Sequence, residues 1–150
     1  MHDSLTVTAD ELETFVFCEG EGPPVVMLHG WAATSDCWRY TFDALKADYQ
    51  VVAPDLPGHG RTKGQIRPST VQGHVRWLDG LLDALNLDDI TLMGNSMGGA
   101  ISAAYTLAHP ERVARLVLVD GLGMGGRIPW KAAGPLMARL PSGTTKASSG

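Results

Sequence analysis

Cysteine is scarce in this chain. Cys18 and Cys37 are the only two in 150 residues. They lie far apart and form no C-x-x-C pair, so reduced thiols are expected rather than a disulfide framework or a metal pair. Basic charge is not in excess either. Lys and Arg number 12 against 16 Asp and Glu, for a net charge of −4, which argues against a nucleic-acid partner. No run of ~18 apolar residues occurs, so no membrane span is expected. The start, Met1-His2-Asp3-Ser4, lacks a basic segment followed by an apolar one. A secretory signal is therefore not expected, and the chain reads as cytoplasmic. No ligand cluster suggests a metal, and neither glycine-rich segment supplies a P-loop lysine. Gly121-Leu122-Gly123-Met124-Gly125-Gly126 has a G-x-G spacing, but no helical pattern follows it at once. No cofactor is expected.

What is present is the material of one domain. Apolar residues make up 44% and charged residues 19%, ordinary for a packed core and a little low in charge. The centre of the pattern is Gly94-Asn95-Ser96-Met97-Gly98. A short apolar run, Asp89 to Met93, precedes it, and the small-residue segment Gly99 to Ala108 follows. Strand, tight turn and helix with G-x-S-x-G between them describe a nucleophile elbow. Glycines two positions either side of the serine let strand and helix approach closely. The helix start after Ser96 points free N–H groups and the positive end of its dipole at any oxyanion formed there.

The remaining segments alternate. Leu5 to Asp10 and Leu12 to Cys18 read as an antiparallel hairpin turned at Asp10-Glu11, with Phe15 and Phe17 on one face. Glu19 to Pro24 is a breaker cluster. Val25 to Leu28 is a continuous apolar run, the mark of a strand buried on both faces. A helix is expected from a Ser35 or Asp36 cap to about Ala47, with Trp38, Phe42 and Leu45 inward. Tyr49 to Ala53 is the next buried strand, and Arg61 to Pro68 a loop. Ser69 or Thr70 can cap a long helix with Val71, Val75, Leu78, Leu82 and Leu85 on one face. Val113 to Val119 reads as another buried strand. The chain divides into a core over 1–120 and, over 121–150, the start of a lid or a tail, with a short helical segment around Pro135 to Leu140. The fold class is α/β with a mostly parallel sheet behind an N-terminal antiparallel hairpin. His29-Gly30-Trp31, Asp55 to Gly60, Ser96 and Asp120 all fall at carboxyl ends of strands, where such sheets hold their sites.

These segments resemble an α/β-hydrolase. The matching residues are His29-Gly30, Asp55-Leu56-Pro57-Gly58-His59-Gly60, Gly94-Asn95-Ser96-Met97-Gly98-Gly99, His109-Pro110-Glu111-Arg112-Val113 and Leu116 to Asp120. They occur in the family's order over roughly residues 5 to 125. The chain is similar to the branch that holds carboxylesterases, enol-lactonases, cofactor-free haloperoxidase-like enzymes and carbon–carbon bond hydrolases. Gly94 to Gly99 resembles the last of these. His29 to Ala33 lacks their longer glycine-rich loop, so no substrate is assigned within the branch. A serine at the elbow sets the chain apart from haloalkane dehalogenases and epoxide hydrolases, which share the fold but place a carboxylate there.

The resemblance implies a small-molecule carbonyl substrate, Ser96 as nucleophile, and the backbone N–H groups of Met97 and Trp31 as oxyanion donors. It also implies a chain order of nucleophile, acid, histidine, with the acid and the histidine downstream of the elbow. That histidine, the last strands and their helices are expected to be absent from these 150 residues, leaving the triad incomplete. The alternative is an inactive fragment or a binding module of the same fold. None of the five histidines reads as a substitute base. His2 lies at the terminus, His29 and His59 read as loop-fixing, His74 as solvated, and His109 as ending the elbow helix. Asp120 is a candidate carboxylate near the site or else a loop cap. Asp55 reads as structural, bonding the turn that follows it. Without a further strand, Val113 to Val119 would be an apolar edge, predicting self-association or a complementing chain.

Overall fold

The structure, a computed structural model, describes residues 2–119. Asp120, the glycine-rich run after it and the segment around Pro135 to Leu140 lie outside the described residues. The chain begins with β1 (Ser4–Ala9) and β2 (Leu12–Glu19), an antiparallel hairpin in which Ala9 pairs with Leu12. Its two-residue turn has Asp10 at φ 44 and Glu11 at φ 66. Positive φ at both central positions is the turn whose twist matches the flanking strands.

Then come β3 (Pro24–Leu28), a 3-10 turn (Ser35–Trp38), α1 (Arg39–Leu45) and β4 (Gln50–Pro54). They are followed by α2 (Val71–Ala84), β5 (Ile90–Asn95), α3 (Met97–Ala108) and β6 (Val113–Val119). The strands form one six-stranded sheet in the order β1-β2-β4-β3-β5-β6. β2 meets β4 antiparallel, and every contact from β4 to β6 is parallel. Expected fold class and observed architecture agree. Parallel pairing brings the carboxyl ends of β3, β4, β5 and β6 to one end of the sheet. Leu28 pairs with Gly94 and Gly94 with Leu118, so the loops that follow these strands are neighbours.

The core lies on both sides of the sheet. Val26, Leu28, Val52, Ile90 and Leu92 pack against α2 and α3 through Trp77, Leu78, Leu81, Leu82, Ile101 and Tyr105. On the other face Val25, Met27, Val51 and Ala53 pack against Trp38 and Phe42. The middle strands are therefore buried on both faces, as their uninterrupted apolar runs demand.

Several local expectations are corrected. The first helix opens as a 3-10 turn capped by Thr34 without a side-chain bond. Ser35 does not cap it, because its N–H and Oγ–H both donate to the buried Asp55 carboxylate. The helix at 71–84 is capped by Thr70, whose Oγ1 accepts from Gly73 N at 3.0 Å. Its buried face is His74, Trp77, Leu78, Leu81 and Leu82, while Val71 is exposed. Trp77 turns this face, because a large ring fills more of the core than Val71, and its Nε1–H donates to Thr14 Oγ1 at 2.9 Å. His74 is buried rather than solvated, with Nδ1 bonded to Thr70 O. His2, although at the terminus, is held: it bonds Glu19 and packs at a tilt against Phe42, ring centroids 4.4 Å apart. No residue of β6 is fully buried, because β6 is the outermost strand among the described residues. None of the helices described is long and apolar enough to cross a membrane.

Candidate active site

The site is built from the loops after β3, β4 and β5. β5 ends at Asn95 and α3 begins at Met97, leaving Ser96 alone between them at φ 52, ψ −115. A non-glycine residue there is strained, at a cost of order 1–3 kcal/mol, and persists only where its surroundings hold it. They do hold it. Ser96 N–H donates to Val119 O at 3.1 Å, and Ser96 O accepts the first helical bond, from Ala100 N. The glycines on either side permit the close approach. A Cβ on Gly98 would run into the carbonyl oxygens of Leu28 and His29, and one on Gly94 into Gly98 O and Ser102 Oγ. Strand, helix and neighbouring strand end thus touch through backbone. Ser96 is half-buried at the head of a 12-residue helix whose first N–H groups have no intrahelical partner.

The β3 loop comes down onto this serine. A Cβ on Gly30 would stand 3.2 Å from Ser96 Cβ and 3.7 Å from its Oγ. Trp31 follows in a turn closed by Ala33 N–H to Gly30 O at 3.3 Å, with Ala32 at φ 57. The Trp31 side chain is 75% exposed, whereas that of Met97 packs against the helical core. Gly30, which Trp31 follows, thus lies against Ser96, which Met97 follows.

His29 and Asp55 organise the loops from behind. His29 is fully buried. Its Nε2 accepts Leu56 N–H at 2.8 Å, and its Nδ1 donates to Gly30 O at 2.7 Å. Burial pushes its pKa down, and the neighbouring His59 pushes the same way. Asp55 Oδ1 accepts from Ser35 N and Oγ, and Oδ2 from Arg61 N and Nε, all within 2.8 Å. Burial alone would raise the Asp55 pKa. The bonds from Arg61 and then Ser35 outweigh it and bring it down to about 2. Sequence reasoning identifies Asp55 as structural but misses Arg61, whose guanidinium also lies 4.0 Å over the Phe15 ring. The clue is an arginine placed after the glycine turn that Asp55 opens. Phe15 and Phe17 do share a face, but Arg61 covers it.

Among the described residues no side chain hydrogen-bonds the Ser96 hydroxyl. Both nitrogens of His29 are engaged, His59 Nδ1 donates to Pro57 O, and His74 lies on α2. His109 caps the far end of α3, about 18 Å along the axis at 1.5 Å per residue.

Comparison with known proteins fits this geometry. A family model described as the alpha/beta hydrolase fold matches residues 23–144. The chain belongs to the α/β-hydrolase family. It is 40% identical over 129 residues to the 2-hydroxy-6-oxo-2,4-heptadienoate hydrolase of Pseudomonas putida, covering 79% of this chain and 44% of that protein. It is 36% identical to a 2-hydroxymuconate semialdehyde hydrolase of a Pseudomonas species, covering 79% of this chain and 43% of that one. Among solved structures, a meta-cleavage product hydrolase superposes with a TM-score of 0.74 at 33% identity, over 78% of this chain and 45% of that one. An epoxide hydrolase of Vigna radiata gives 0.75 at 29%, over 78% and 39%. The α/β-hydrolase chain described here thus spans less than half the length of these relatives.

Proposed function

We propose that Ser96 is the nucleophile of a serine hydrolase acting on an ester, lactone or related carbonyl substrate through an acyl-enzyme. The observation that carries this reading is the strained backbone of Ser96, at φ 52, beneath the turn that follows Gly30. Ser96 Oγ attacks the carbonyl carbon while its proton passes to a base. The negative oxygen that results accepts from the N–H groups of Met97 and Trp31, each worth about 3 kcal/mol in the transition state. The leaving group departs with a proton, and water then cleaves the acyl-serine ester. Two relatives carry names of hydrolases for oxo and semialdehyde compounds, which supports a carbonyl substrate here. The base and its acid partner are not among the described residues.

A second reading is a binding module or a piece that another chain completes. A serine hydroxyl without an adjacent base is a weak nucleophile. The outer edge of β6, with Val117 and Val119 exposed, is the proposed surface for self-association or complementation. Incubation with a p-nitrophenyl ester separates the two readings. A burst of nitrophenol stoichiometric with protein, lost in Ser96→Ala, supports the hydrolase. Release no faster than from Ser96→Ala supports the module.

A further inference from the structure

We infer that His29 is a positioning residue for the Trp31 amide, acting through the Gly30 carbonyl. The inference rests on reading the Trp31 N–H as an oxyanion donor. Gly30 C=O and Trp31 N–H are the two ends of one trans peptide unit. That unit is planar, so its C=O and N–H point in opposite directions, and fixing one aims the other. Gly30 O accepts from Ala33 N at 3.3 Å and from His29 Nδ1 at the shorter distance of 2.7 Å.

The ring is itself held from behind. Leu56 N–H can only donate and Gly30 O can only accept, so the imidazole is neutral with its proton on Nδ1. It is fully buried against the edge of His59, ring centroids 5.4 Å apart, and has no room to swing. Two further contacts tie it to the elbow: Gly98 closes onto His29 O, and Gly30 onto Ser96. An accepted bond at the carbonyl also polarises the peptide and strengthens its N–H as a donor. His29 thus takes no part in proton transfer but aims, and sharpens, a donor at the serine.

Two substitutions separate aiming from simple loop-tying. His29→Asn carries an amide nitrogen near the Nδ1 position and can donate to Gly30 O, but cannot reach Leu56. His29→Gln carries its amide near Nε2, accepts from Leu56 N–H, and leaves Gly30 O to Ala33 alone. The measurements are the rate of Ser96 phosphonylation by a fluorophosphonate and the amide shift of Trp31 in 15N-labelled chain. Gln is expected to slow labelling about tenfold more than Asn, a fraction of the loss of a whole donor. The Trp31 resonance is expected to move in the Gln variant and stay near its wild-type place in the Asn variant. Equal rates, or a slower Asn variant, would overturn the inference. If wild-type chain does not label, the nucleophile reading has failed, and the Trp31 shift alone decides the positioning claim. If neither variant folds, the ring 15N spectrum of wild-type chain decides: a neutral Nδ1–H form is expected, and an Nε2–H form refutes it.

Discussion

Gly30 and Ser96 meet so closely that a methyl group on the first would stand 3.2 Å from the Cβ of the second. The loop after β3 and the elbow after β5 are held as one surface by that contact. Gly30→Ala forces the neighbour to give by a few tenths of an ångström. The expected outcome is a folded chain whose phosphonylation by a fluorophosphonate is slowed at least tenfold. Gly98→Ala meets backbone instead of side chain, at Leu28 O and His29 O, and cannot be relieved locally. Chemical denaturation is expected to show a loss of several kcal/mol in that variant.

Asp55 gives a pH dependence with a definite sign. Its carboxyl falls from 3.8 to about 2 on folding, so the folded state binds fewer protons than the unfolded one near pH 3. Stability is therefore full above about pH 4 and declines as pH falls toward 2, by about 2 kcal/mol in total. His29, lowered from 6.5, acts in the same direction, beginning as pH drops below 6.5. Urea midpoints from pH 7 to 2 test both. Asp55→Asn removes the steep acid limb and costs about 3 kcal/mol at pH 7, because Arg61 loses its buried partner.

Ser102 is buried in α3 against Gly94, and its Oγ has no hydrogen-bond partner. An unpaired buried hydroxyl costs about 1–3 kcal/mol. Ser102→Ala removes it without opening a cavity of any size. The thermal midpoint is expected to rise, and a fall would show that the hydroxyl bonds within the fold.

The strands and the elbow are legible in the sequence because one physical cause dominates each. Short uninterrupted apolar runs such as Val25 to Leu28, bounded by Gly and Pro, suit a strand buried on both faces, and Gly94 and Gly98 bracket a turn that only small residues permit. The α2 face is legible at Val75, Leu78, Leu82 and Leu85, which pack in the core, and not at Val71 or Trp77: Trp77 turns inward where Thr14, 63 residues away, gives its N–H a partner. His74 reads as solvated, and His2 as a bare terminus, for the same reason. Their burial is set by partners distant in the fold or by local carbonyls, and no periodicity reports those. At the candidate site the sharp turn at Ser96 and the structural part of Asp55 are legible, and the Ser35 and Arg61 partners of Asp55 are not, because they lie 20 and 6 residues from it with no periodicity linking them.

Val117 and Val119 are 36% and 41% exposed on the outermost described strand. Unpaired apolar edges template further pairing. The chain is expected to self-associate by light scattering, and Val117→Lys is expected to reduce that. A monodisperse monomer would count against the proposed surface.

The claim beneath the rest is that Ser96 is a reactive serine. Mass spectrometry of the folded chain after fluorophosphonate treatment tests it most directly. One adduct per chain, mapped to the peptide containing Ser96 and absent from Ser96→Ala, is the result predicted. An unmodified chain with an intact circular-dichroism spectrum, or an adduct on another residue, would contradict it.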